Sequence, residues 1–274
     1  MKQSFLEKYK IEPLYIPRHS KRRPGTLLQR VRFIVAHDTG NPESTARANV
    51  NYYINSRNEI HASAHIFTDD KEIIECIPAL TAKAEKAWHV MYDKTEDNRI
   101  YGDDANNAAI GVEYCYGKNI NSKEAYQRYV WVLAKLCHAY NLNPSRDIIG
   151  HHLLDPERRT DPVTGLQRSN RSYKQLSIDV VHEYKSCLVE EPATIKVCHE
   201  TWKAKVRARL HMREAPSTKS TTKGLLEPGA IISFTSIIAN GESIHNNPVW
   251  YRLTNGHYAW SGGLFLENEK SINN

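Results

Sequence analysis

Hydrophobic and polar positions alternate between two textures along this chain. The first two thirds carry short apolar runs separated by segments of helical periodicity. Residues 31–37, VRFIVAH, form a β-branched run that predicts a buried strand. A helix is expected over 44–55, with Ser44 as its cap and Arg47 facing solvent. Residues 64–68, AHIFT, read as a strand; Asp69, Asp70 and Lys71 make a turn, and 72–77 return as the hairpin partner. Residues 108–114, AAIGVEY, predict another strand, whose glycine implies a close approach to its backbone. Tyr126, Tyr129, Val130, Leu133, Leu136, Cys137 and Tyr140 recur at helical spacing with Lys123, Arg128 and Lys135 between them, which predicts a helix over 122–140 ended by Asn141 and Pro144. A last helix is expected over 173–185. Strands interleaved with helices predict an α/β domain with a mixed central sheet flanked by helices.

Beyond about residue 193 the texture changes. VRARLHMREAP, GAIISFTSIIANG and WYRLTNGHYAWSG are short β-rich pieces divided by Pro, Gly, Ser and Asn, the pattern of a small all-β barrel. Asn255-Gly256 marks a hairpin between Trp250-Tyr251 and Tyr258-Trp260, and most of these aromatic residues are expected to fill the barrel. The expected organisation is a first domain over 1–187, a linker over 188–192 marked by Glu-Glu-Pro at 190–192, and a second domain over 193–274.

Composition narrows the function classes. The 274 residues are 40% hydrophobic and 25% charged, which argues against wholesale disorder. No uninterrupted apolar run nears the roughly 18 residues of a membrane span, so no membrane insertion is expected. The net charge of +6 suits an anionic surface such as a cell wall or nucleic acid without identifying one; the charge is small and no basic-aromatic recognition motif appears, so no nucleic-acid partner is expected. The polar first residues lack the apolar core of a signal peptide, so synthesis in the cytoplasm is expected, with release to any outside target by another route. Cys76, Cys115, Cys137, Cys187 and Cys198 are odd in number and scattered, which fits reduced, buried thiols better than disulfides or a cysteine metal site.

Polar residues concentrate where apolar strands end: His37-Asp38-Thr39-Gly40, Trp88-His89, Glu113, and the run from Gly150 to Pro162. Two histidines and one carboxylate make a catalytic zinc set that leaves a position for water, and His37, His151 and Asp161 would supply it. With 13 histidines in the chain, residue type alone does not single these out.

The pieces FIVAHDTG, SAHIFTDD, KAWHV, NNAAIGVEY and IGHHLLDPERRTDP, in that order, resemble the zinc-dependent N-acetylmuramoyl-L-alanine amidases of the phage-lysozyme and peptidoglycan-recognition-protein type. The resemblance implies one catalytic Zn²⁺ on His37, His151 and Asp161, with His152 an adjacent competitor for the second position. It implies Glu113 as the residue that activates water and Arg159, where many relatives carry lysine, as the cation that stabilises the oxyanion. It places His65, Trp88 and His89 along the substrate groove. Ala64 stands where some phage relatives have a catalytic tyrosine, which puts more weight on Glu113. Asn106 is expected to hold the loop before the Glu113 strand. Residues near 206–267 resemble bacterial SH3-type domains. Together these imply a peptidoglycan hydrolase acting at the cell wall as an endolysin or autolysin, released through a membrane hole of the holin type. The alternatives are a cytosolic amidase that recycles wall fragments and a peptidoglycan-recognition protein that binds without cutting. No redox cofactor or nucleotide is implied.

Overall fold

The computed structural model describes residues 4–92, 94–189 and 194–266, in two compact units. The first unit ends at Val189 and runs β1 (Ser4–Phe5), β2 (Ile11–Pro13), β3 (Phe33–Asp38), α1 (Ala46–Asn55), β4 (Ile66–Thr68), β5 (Ile73–Glu75), α2 (Thr95–Tyr101), α3 (Ala105–Ala108), β6 (Ala109–Tyr114), α4 (Ser122–Tyr140), β7 (Ile148–Gly150), α5 (His151–Leu154), α6 (Val163–Arg168), α7 (Tyr173–Cys187) and β8 (Leu188–Val189). Leu188 and Val189, expected to open the linker, are thus the last strand of this unit; the expected linker residues 190–192 lie outside the described residues.

Six strands form the main sheet in the order β2-β5-β4-β6-β3-β7. The β4–β5 pair is antiparallel and the other four pairings are parallel, so the sheet is mixed. Every residue of β3 is buried, as expected of a central parallel strand covered on both faces. Side chains alternate along it. Ile34 and Ala36 join Ile110, Val112 and Tyr114 of β6 in the large core beneath α4. Phe33 and Val35 point to the other face, into a small cluster with Ala105, Ala108, Ala109 and Ile149.

Local chemistry sets the element ends. Asn121 caps α4 by accepting from Lys123 N and Glu124 N, and Asn141 ends it in the left-handed conformation at φ 55°. Helix α1 begins at Ala46 rather than Ser44, because Thr45 is the residue whose side chain accepts from Ala48 N. Arg47 is not a free solvent-facing cation: its guanidinium pairs with Glu72 and Glu12. Asp69 Oδ1 accepts from Lys71 N and Glu72 N, which makes the tight turn between β4 and β5. The short helices α2, α3, α5 and α6 carry too few turns to show a period, and the apolar pattern missed them.

The second unit is a seven-stranded antiparallel sheet in the order β11-β10-β14-β13-β12-β9-β15. Its strands are β9 (Thr194–Val206), β10 (Leu210–Arg213), β11 (Thr222–Leu226), β12 (Ile231–Ile238), β13 (Trp250–Leu253), β14 (Tyr258–Trp260) and β15 (Leu264–Leu266). Ala204, Val206, Ile232, Phe234, Tyr251, Leu253, Ala259 and Leu264 form its core, with the Phe234 and Tyr251 rings stacked 4.3 Å apart. Trp250 is buried with Tyr251, while Tyr258 and Trp260 are half-buried. Asn255-Gly256 turns the β13–β14 hairpin, with Gly256 at φ 84°.

Cys76, Cys115, Cys137 and Cys187 are buried free thiols; Cys198 lies outside the described side chains. No helix among the described residues is long and apolar enough to cross a membrane.

Gly111, in the middle of β6, meets the expectation of a close approach. A Cβ there would lie 2.8 Å from His89 Cγ and 2.9 Å from its Nδ1. Gly111→Ala is therefore expected to lower the unfolding free energy by about 1–3 kcal/mol, measured by chemical denaturation, through overpacking against a ring with no room to move.

Candidate metal centre and active-site cleft

Three neighbouring parallel strands bring the site together. His37 on β3 lies opposite Glu113 on β6, so both side chains leave the sheet on the same face, the one away from α4. On the other side of β3, Gly150 of β7 pairs with Ala36, and His151 is the next residue. Glu113, His37 and His151 thus stand in a row across the carboxyl ends of the strands, where open α/β sheets hold their ligands. Gly150 is needed there because a Cβ would meet the His152 ring at 2.5 Å.

Asp161 arrives from the loop between α5 and α6. Its Oδ2 lies 2.8 Å from His37 Nδ1 and 3.1 Å from His151 Nδ1. The three ligand atoms of His37, His151 and Asp161 all fall within 4.8 Å of one another. His152 does not join them. Its ring packs edge-on against Tyr173 at 4.9 Å, and its backbone N–H donates to the Asp161 carbonyl, which fixes the loop. Burial pushes the His37 pKa down to about 4 against the pull of Asp161, which keeps the ring neutral and its lone pair available. Burial of Asp161 works the other way, but hydrogen bonds from His151 and His37 outweigh it and hold the carboxyl below the usual range. His151 Nε2 is buried without a hydrogen-bond partner. Two imidazoles and one carboxylate, converging and mostly buried, fit a small divalent cation that takes nitrogen and oxygen donors.

Other predicted residues fall into distinct places. Glu113 lines a cleft of about 440 Å³ together with His37, His151, Asp161, Trp88, His89 and Arg159. Burial, followed by the like charges of Asp161 and Asp38, raises the Glu113 pKa well above the carboxylate range, and its Oε2 has no hydrogen-bond partner. Arg159 is an exposed residue of the cleft rim, with its backbone N–H donating to the Asp155 carbonyl. His89 Nδ1 lies 3.1 Å from His37 Nε2, so it backs the far side of that ring. Trp88 borders the cleft with Lys86 over its ring at 4.4 Å. His65 does not reach the cleft. It is fully buried, Nδ1 accepts from Gly111 N at 3.0 Å, and Nε2 donates to the Glu85 carbonyl at 2.8 Å. Burial pushes its pKa down to about 4. Such a ring ties β6 to its surroundings and has no atom left for a ligand.

Asn106 holds a different segment from the one expected. Its Oδ1 accepts from His89 N and Val90 N and its Nδ2 donates to the Val90 carbonyl, so it clamps the strand-like run that carries Trp88 and His89. Sequence reasoning marked the segment of Asp38 but gave that residue no role; Asp38 accepts from Gly165 N and Gly40 N and so ties β3 to α6. Sequence reasoning also missed Tyr53, a cleft residue from α1. The signal for Tyr53 was present: it continues the inward stripe of Ala46, Asn49 and Val50.

This assignment predicts that His37→Ala and Asp161→Asn each abolish stoichiometric zinc uptake by the apo-protein in calorimetric titration, while His152→Ala retains it within about threefold in Kd.

Comparison with known proteins agrees with this geometry. Over 144 residues the chain is 35% identical to the N-acetylmuramoyl-L-alanine amidase BlyA of Bacillus subtilis strain 168, a match that covers 50% of this chain and 38% of that protein. The chain thus spans less than two fifths of that relative's length. Among solved structures, Staphylococcus aureus hydrolase AmiA in complex with its ligand superposes with a TM-score of 0.51 at 25% identity, covering 68% of this chain and 89% of that one. The catalytic domain of XlyA superposes with a TM-score of 0.50 at 21% identity, covering 62% and 99%, which shows a shared fold. The model of the N-acetylmuramoyl-L-alanine amidase family matches residues 27–164, half of the chain and the whole of the cleft just described, and this protein belongs to that family.

Proposed function

We propose that the protein hydrolyses the amide between the lactyl group of N-acetylmuramic acid and L-alanine in bacterial peptidoglycan, with one zinc ion held by His37, His151 and Asp161. The observation that carries this reading is the convergence of those three side chains beside Glu113, a cleft carboxyl whose Oε2 has no hydrogen-bond partner among the described residues. A zinc ion bound there supplies Lewis-acid polarisation of the amide carbonyl and makes water more acidic. Glu113 accepts the proton of the attacking water and returns it to the leaving nitrogen of alanine. Burial, which raises its proton affinity, suits it to hold the proton and pass it to the leaving nitrogen. Arg159, on the rim, draws close to the amide oxygen as negative charge develops there. His89 and Asn106 act behind the site by fixing the His37 ring and the segment that carries Trp88.

The second unit is read as an SH3-like module that holds the enzyme on the wall, with anionic wall polymers as a further attraction for the net positive charge. Its seven antiparallel strands, apolar core with the stacked Phe234 and Tyr251 rings, and Asn-Gly hairpin support that reading. A catalytic unit joined to a wall-binding unit favours a lytic enzyme acting at the wall over a recycling amidase, since soluble fragments need no anchor. The complete donor set favours an enzyme over a recognition protein that only binds.

Digestion of purified cell walls tests the proposal. Peptides with new N-terminal alanine are expected, without new reducing sugar ends, and a chelator stops their release. Glu113→Gln is expected to lower the initial rate at least about a hundredfold. New reducing ends, or a wild-type rate in Glu113→Gln, would contradict the assignment.

A further inference from the structure

Several polar groups of the cleft make no hydrogen bond among the described residues, and two of them bear on substrate. The Glu113 carboxyl is one. The other is the Tyr53 hydroxyl, which lines the same cavity and makes no hydrogen bond among the described residues. A buried carboxyl oxygen is rarely left unsatisfied inside a protein, and the half-buried phenol beside it lines the same cavity, so one ligand can bond to both.

Tyr53 is aimed there by its surroundings. Its ring stands edge-on to Phe67, with centroids 5.2 Å apart at 86°, and Phe67 lies directly opposite Glu113 in the β4–β6 register. Behind the ring, the Arg22 guanidinium sits 4.4 Å from the centroid. Arg22 is only 1% exposed and has no carboxylate partner among the described residues. Its nitrogens donate to the Ser56 carbonyl, the Ser56 hydroxyl and the Ala62 carbonyl. Carbonyls at the C-terminal end of α1 carry the partial negative charge that offsets a buried cation. Helix C-capping explains how Arg22 is tolerated, but it leaves a full positive charge against the back of a cleft phenol. Burial, with the Glu113 charge, keeps that phenol protonated, while Arg22 acts in the opposite sense and strengthens the O–H as a donor.

We propose that Tyr53 contacts substrate, its phenol donating a hydrogen bond to a carbonyl oxygen of the muramoyl-peptide beside Glu113, with Arg22 as the positioning residue that holds the ring from behind. The proposal rests on the amidase reading and deepens it: the cleft recognises an acyl-amino group through a donor from α1 as well as through the strand-end residues.

Tyr53→Phe keeps the ring, its contact with Phe67 and its stack on Arg22, so folding is expected to be unaffected. In the full chain with zinc, acting on a soluble N-acetylmuramoyl-peptide, kcat/KM is expected to fall about ten- to a hundredfold, with Tm and zinc content at wild-type values. Binding supplies a readout independent of turnover. Glu113→Gln with Tyr53→Phe is expected to bind the same fragment about three- to tenfold more weakly than Glu113→Gln alone. The proposal stands only if binding falls and, where the wild type cleaves the fragment, kcat/KM falls with it. Equal kcat/KM, equal binding, no binding by either variant, or a rate loss matched by lost zinc overturns it. If the wild type fails to cleave the fragment, the amidase reading has failed, and the binding comparison still decides whether the phenol touches the ligand.

Discussion

Parallel pairing of β6, β3 and β7 is the constraint on which the site depends. Residues opposite one another in a parallel ladder leave the sheet on the same face, so the register that pairs Ala36 with Val112 and Gly150 also sets Glu113, His37 and His151 side by side. A slip of one residue in either pairing would send one of these side chains into the core beneath α4. That register is fixed by apolar packing on the opposite face of the sheet, through Ile34, Ala36, Ile110 and Val112. The reactive geometry is thus a by-product of how the hydrophobic residues of three strands fit against one helix.

The remaining members come from segments with no regular ladder, and each is tied down by backbone hydrogen bonds. The His152 N–H holds Asp161, and the Asn106 amide holds the segment of Trp88 and His89. His65 and Gly111 exchange bonds in both directions, which locks β6 to the strand entry before β4. Buried polar residues here act as braces for the site rather than as parts of it.

Much of this was legible in the sequence, for physical reasons that can be named. Long periodic elements such as α4 announce themselves, and caps such as Asn121 and Asn141 mark their ends. The donor set of His37, His151 and Asp161 followed from residue type and motif resemblance; the structure brings the three together and turns His152 away. His65 misled because a histidine next to a motif looks the same whether its nitrogens face a cleft or a backbone. Asn106 and Tyr53 were harder still. Their roles depend on partners that are neighbours in space but distant in sequence, and one-turn helices such as α3 carry no period that would place them.

The alternation along β3 has one more consequence. The Tyr129 hydroxyl of α4 donates to the His37 carbonyl from beneath the sheet, while the imidazole projects above it. The main chain and the side chain of one residue therefore answer to opposite hemispheres of the fold. An engineer could redraw the upper surface, exchanging donors or reshaping the groove, while the lower hemisphere goes on supplying the footing. Drift in the residues below would act differently: it would tilt the ring without touching anything a substrate meets.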